Sequence, residues 1–178
     1  KFLWAPLVDG WGTKRGWQIA LQLGLALLTA LIAILAHFAA SSEGGVYLEL
    51  IAAVFVVMAF LSATNDIAVD GYYLEAIPTR EDQALLSGYR VLAYRLAMVF
   101  ARSGIVAFAA WLMSSATVGT HYHAWALAFS VTAAVLGSLA LGHALLLPKV
   151  GAPKGDVESQ FARAKRVFKQ GFLTYLAQ

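Results

Sequence analysis

An all-α membrane protein, with four transmembrane helices and a C-terminal amphipathic helix, is the fold this sequence predicts. Three observations carry that reading. Apolar residues make up 60% of the 178 residues and charged ones 13%, where soluble domains average about 45–50% and 25%. The apolar residues gather into four runs long enough to cross a bilayer as helices. Lys and Arg are absent from every second loop between those runs, which is how alternate loops fall on opposite sides of a membrane.

The first run, Trp17–Ala39, contains no charged residue. Its roughly 23 residues extend about 35 Å as a helix, enough to cross with some tilt. A cleaved secretory signal is the poorer reading, because such signals have shorter apolar cores and further spans follow here. The second run, Leu50–Leu74, is continuous apart from Asn65, Asp66 and Asp70. The third, Leu85–Met113, carries Arg90, Arg95 and Arg102, and the fourth, Ala124–Leu147, is uncharged and stops at Pro148. Small residues such as Ala133 and Gly137 are expected to let the helices approach closely.

Cations fix the orientation. Lys1, Lys14 and Arg15 precede the first span, Arg80 separates the second from the third, and Lys149, Lys154, Arg163, Lys165, Arg166 and Lys169 follow the fourth. The loops Ser41–Tyr47 and Ser114–His123 contain neither Lys nor Arg. By the positive-inside rule both ends are cytoplasmic. The pI near 9.3 therefore reflects flanks of apolar runs rather than a basic domain, and no nucleic-acid partner is expected. With no cysteine, a disulfide framework and Cys-based metal sites are excluded.

Beyond Pro148 a polar linker, Lys149–Asp156, leads to Phe161, Ala164, Phe168, Phe172 and Tyr175 at spacings of three and four. This pattern predicts an amphipathic helix on the inner membrane surface, in contact with anionic lipid, or a helix leading into another span. Opening without Met and in the middle of a motif, the sequence reads as a fragment of a larger protein.

The charged spans carry the chemistry. Ionisable groups at membrane depth cost about 2.5–3.5 kcal/mol each on insertion scales and usually mark a substrate or ion path. Asp66 and Asp70 are four residues apart and share a helix face. Arg95 and Arg102 share a face of the next span, and Arg90 points away from them. If the two spans form an antiparallel hairpin about Thr79–Arg80, Asp66 lies level with Arg95 and Asp70 with Arg90. One reading makes both pairs structural. The other makes Asp66 a protonatable switch that releases Arg95 for an anionic substrate. Arg102, with no acid at its level, is a candidate for a substrate carboxylate or phosphate, unless it snorkels to the outer surface.

Three enzymatic patterns fail. An intramembrane aspartyl protease needs carboxylates from two different spans. The Asp-x-x-Asp-Gly signature of lipid-headgroup transferases requires a shorter spacing than that of Asp66 and Asp70. His121-Tyr-His123 lacks a third metal ligand, and His37 and His143 are isolated in apolar spans. No cofactor and no catalytic set is expected.

Pro6-Leu-Val-Asp9, Gly12 and Lys14-Arg15-Gly16-Trp17 resemble the loop between the second and third helices of major facilitator transporters. Ser62-Ala-Thr-Asn-Asp-Ile-Ala-Val-Asp-Gly-Tyr72, with Gly88-Tyr-Arg90 and Tyr94-Arg-Leu-Ala-Met98, resembles the muropeptide permease (AmpG-like) branch, which includes relatives that move acetyl-CoA. The resemblance is specific over Phe2–Met98 and generic beyond.

It implies that residues 1–16 are the cytoplasmic loop between helices two and three. Residues 17–148 would then be helices three to six of twelve, and 149–178 the central cytoplasmic connection. It further implies proton-driven import of anionic sugar–peptides across the bacterial inner membrane by alternating access. Asp66 and Asp70 would couple protons, Asn65, Tyr72, Arg95 and Arg102 would meet the substrate, and Arg90 would pair an acid. Asp9, Lys14 and Arg15 would form a conformational latch. The sequence departs from the branch at Asn65 (usually Gln), Gly71 (usually Ala) and Tyr73 (usually Arg). It also departs at Gly10 (often basic) and Arg102 (usually small). The competing reading is a non-transporting receptor or assembly subunit whose ion pairs only hold helices together.

Overall fold

The computed structural model describes residues 8, 12–41, 45–115, 119–150 and 165–166. Every regular element among them is a helix. Four helical stretches are long and apolar enough to cross a membrane. The first is α1, Lys14–Ala39, and the second is α2, Gly45–Ala76. The third is α3, Arg80–Val99, continued through a π-helical turn, Phe100–Gly104, into α4, Ile105–Ser114. The last is α5, His121–Leu146. Of the expected C-terminal amphipathic helix, only Lys165 and Arg166 lie within the described residues, and both are helical.

Helices α1, α3 and α5 begin before their apolar runs do, because a threonine caps each. Thr13 accepts a hydrogen bond from Gly16 N at 3.0 Å, Thr79 from Asp82 N at 3.2 Å and Thr120 from His123 N at 3.4 Å. Each satisfies one of the amides that a helix start leaves unpaired. Glu81 and Asp82 add negative charge to the first turn of α3, where the helix dipole favours it. Gly12, at φ +68°, makes the left-handed step that turns the chain into α1. Proline ends two of the helices: α2 stops before Ile77-Pro78, and α5 before Leu147-Pro148.

Helix α1 is the centre. It packs antiparallel to α2 and to α5, while α4 packs on α5. The contacts are made by small side chains: Ala33, Ala36 and Ala39 on α1, Ala68 on α2, and Ala124, Ala128 and Ala140 on α5 are all buried. Lipid tails are as apolar as Leu, so close backbone approach, rather than hydrophobic burial, favours such contacts. Gly137 does not take the part expected of it. A Cβ there would meet nothing within 4 Å, and Ala133 lines a cavity between α1 and α5 instead.

Helix α3 has no buried residue. Its backbone does not pack along α2, and side chains join the two helices, Tyr73 to Gln83 and Asp70 to Arg90, so the two spans splay apart instead of running as a closely packed hairpin.

Candidate functional site

The polar side chains gather where α1 begins and α2 and α5 end, here termed the basic end. Lys14, 5% exposed, lays its stem across α2 at Gly71. A Cβ at that position would lie 2.9 Å from Lys14 Cε and 3.0 Å from Cδ. Gly71 is therefore the groove in which the lysine rests. Arg15 donates from Nε to the Leu147 carbonyl at 3.0 Å, and from Nη2 to that of Ala144. These are last-turn carbonyls of α5, unpaired within the helix and at the negative end of its dipole. Tyr72 donates its hydroxyl to the Pro148 carbonyl at 3.1 Å, so α2 also ties into this junction. Further along, Gln22 Oε1 and His143 Nδ1 lie 2.8 Å apart across α1 and α5.

Between the Lys14 crossing and a second one, where Gly24 meets Leu61, Gln18 and Asn65 occupy one layer of the α1–α2 packing. Gln18 Oε1 and Asn65 Oδ1 are both buried without a hydrogen-bond partner. Leaving such an acceptor unpaired costs about 1–3 kcal/mol.

The two acids of α2 separate. Asp70 is salt-bridged to Arg90 Nη2 of α3, with both side chains about half exposed. The Arg90 guanidinium also sits 5.1 Å from the centroid of the Tyr73 ring, a cation–π distance. Tyr73 in turn donates its hydroxyl to the Gln83 carbonyl, and Gln83 Nε2 donates to that of Ile77. The turn is thus braced by Tyr73, at the position where the branch has an arginine.

Asp66 is exposed and is not joined to Arg95, contrary to the hairpin expectation. Arg95 is exposed and makes no ion pair among the described residues. The reason is the splay of α3 from α2, because equal distance from a turn brings residues together only while the helices stay in contact. Arg102 is exposed within the π-helical turn. A π turn advances each residue by a smaller angle than an α turn, so Arg102 does not share Arg95's face as a regular helix would place it. Gly104 accommodates that turn, since a Cβ there would lie 3.3 Å from the Phe100 ring. Asp9 lies outside the described residues.

One assembly escaped the sequence reading. Tyr73 of α2 and a face of α3 bearing Arg80, Gln83, Ser87, Arg90 and Tyr94 line a cleft of about 670 Å³. Its signal was present as polar residues at spacings of three and four on α3, but attention to the apolar run began the span at Leu85. At the opposite end, His37 and His123 rings meet edge-on at 5.1 Å, beside a larger, mainly apolar cavity between α1 and α5. Among the described residues no group of three His, Cys, Asp or Glu could hold a metal ion.

Over 104 residues, 56% of its length, the chain is 36% identical to the anhydromuropeptide permease of Escherichia coli strain K12. The chain is similar to the AmpG-like permeases. The corresponding permease of E. coli O157:H7 matches to the same extent. An uncharacterized protein of Haemophilus influenzae is 32% identical over 102 residues. These matches cover only 20–22% of the relatives' own lengths. No family model matches the chain, and no solved structure does.

Proposed function

We propose that this chain is part of a secondary active transporter that moves anionic muropeptide-like solutes across the bacterial inner membrane, driven by protons. The observation that carries the reading is the coincidence of permease similarity with two carboxylates and three arginines inside the apolar runs Leu50–Leu74 and Leu85–Met113. Charges at that depth are expensive and are kept where a charged cargo or a proton must be handled. In this reading the basic end is cytoplasmic, the four spans are helices three to six of a major facilitator fold, and the two halves of the whole protein alternate access.

Lys14, Arg15 and Tyr72 hold the ends of α1, α2 and α5 together in one closed state, the part assigned to the latch together with Asp9. Asp66 and Asp70 carry the coupling protons. The Asp70–Arg90 bridge takes the role first assigned to Asp66 and Arg95, since protonating Asp70 frees Arg90 for an anion. Asn65 lies on the side of α2 that packs on α1, where its buried unpaired oxygen would become an acceptor when the two helices part. Arg95 and Arg102 offer guanidinium groups farther from the basic end.

The test is uptake of labelled anhydromuropeptide into vesicles holding the full-length protein, with and without an imposed pH gradient. Asp66→Asn, at equal membrane expression, is expected to reduce gradient-driven uptake at least tenfold. Uptake at the wild-type rate removes Asp66 from the coupling path. Gradient-independent uptake by the wild type removes proton coupling itself.

A further inference from the structure

We propose that the cleft between Tyr73 and the polar face of α3 is a binding site for an extended carboxylate-bearing sugar, and that Asp70 is its built-in competitor. The inference rests on the transporter reading for its substrate class and adds the site, its residues and its gating.

Arg80, Gln83, Ser87, Arg90 and Tyr94 recur at spacings of three and four, so they line one face of α3 over about 21 Å of helical rise. The cleft volume, about 670 Å³, lies in the range of small-molecule sites. Arg80 and Arg90 are ten residues apart, or about 15 Å along the axis. They are too far apart to close on one compact anion and well placed for two acidic groups of an extended ligand. Tyr73 and Tyr94 add aromatic faces with polar tips, a surface that suits a sugar ring, apolar on one side and hydroxylated at its edge.

Arg90 already holds a carboxylate. Asp70 engages it through Nη2, and the guanidinium lies over Tyr73. A guanidinium has five N–H donors and accepts a carboxylate in a two-pronged fork, so the Asp70 contact leaves donors open. Both partners are about half exposed, 46% and 55%, and ion pairs so exposed hold weakly. Arg80 is exposed and has no ion pair among the described residues. An incoming carboxylate thus has one free guanidinium, and a second whose occupant is easily displaced. Asp70 stands where the ligand's own carboxylate would stand.

The experiment is calorimetric titration of the full-length protein in lipid nanodiscs. The probe is N-acetylmuramoyl-alanyl-γ-glutamyl-diaminopimelate, whose acidic groups are spread along the peptide, compared with N-acetylglucosamine as a neutral sugar and inorganic phosphate as an anion without a ring. The probe is expected to bind at least tenfold more tightly than either comparison ligand. Arg80→Gln, at an exposed position that leaves the fold intact, is expected to weaken it at least tenfold. Asp70→Asn, which removes the competitor, is expected to tighten it at least threefold.

A purely structural bridge predicts the reverse sign for Asp70→Asn, and an unchanged or weakened affinity overturns the proposal. Equal binding of N-acetylglucosamine or of phosphate overturns the ligand assignment. Uptake measured on the same preparations separates the two readings. Wild-type uptake with affinities unmoved by Arg80→Gln and Asp70→Asn refutes the cleft alone. Affinities moved as expected without any wild-type uptake refute the transporter reading alone.

Discussion

Gly71→Ala isolates the contact that distinguishes this chain from its resembling branch. In a helix interior, replacing Gly by Ala ordinarily stabilises by about 0.5–1 kcal/mol, because glycine loses more backbone freedom on folding. Here the new methyl would lie 2.9 Å from Lys14 Cε, 3.0 Å from Cδ and 3.4 Å from Cγ. Three carbons of one side chain must therefore retreat, and Lys14 is only 5% exposed, with little room to do so. Overpacking of this kind costs about 1–3 kcal/mol. The sum is a net destabilisation of about 0–2.5 kcal/mol, against the sign of the propensity.

In a Lys14→Ala background the obstacle is gone and the same substitution should stabilise by its propensity alone. Unfolding of the full-length protein in mixed micelles, run as a double-mutant cycle, should give a coupling energy of about 1–3 kcal/mol. If Gly71→Ala is equally stabilising in both backgrounds, Lys14 does not rest in that groove.

Arg15→Met keeps the stem but loses both bonds to the carbonyls at the end of α5; at about 1–2 kcal/mol each for partly buried charge-assisted bonds, unfolding in the same micelles should register a loss of about 2–4 kcal/mol, and Arg15→Lys roughly half of it. Accessibility gives an independent check on α3. A membrane-impermeant maleimide should modify Ser87→Cys in the cleft and leave Leu31→Cys on the lipid-suited face of α1 unmodified, in labelling followed by mass shift.

Legibility varied with the kind of signal. The four spans follow from apolar run length, and the end of the last at Pro148 from what proline forbids, and these are local rules. Helix starts were set about three to five residues too late, because hydropathy marks what sits in hydrocarbon while Thr13, Thr79 and Thr120 mark where backbone pairing begins. The Asp70–Arg90 contact is recoverable by counting levels from the turn, because it lies close to that turn. The same count fails for Asp66 and Arg95, one turn further out, since it assumes two helices in continued contact. The π-helical turn was invisible for a related reason. Seven-residue spacing places Arg95 and Arg102 on one face only in an unbroken α-helix, and nothing local in Phe100-Ala-Arg-Ser-Gly104 states that the ladder widens there.

The splay of α3 bears directly on which side of this bundle meets lipid. The exposed large side chains of α1 and α5 include Leu27, Leu31, Ile34, Leu139 and Leu145, which hydrocarbon accommodates without cost. The exposed positions of α3 and its π turn include Arg90, Arg95 and Arg102, each costing about 2.5–3.5 kcal/mol if turned to the bilayer centre. Only one assignment avoids that cost: α1 and α5 back onto lipid, and α3 faces protein or water. The same surface carries the Tyr73–Arg90 cleft, so under the proposed function the least buried helix of this bundle is the one that would border the solute path.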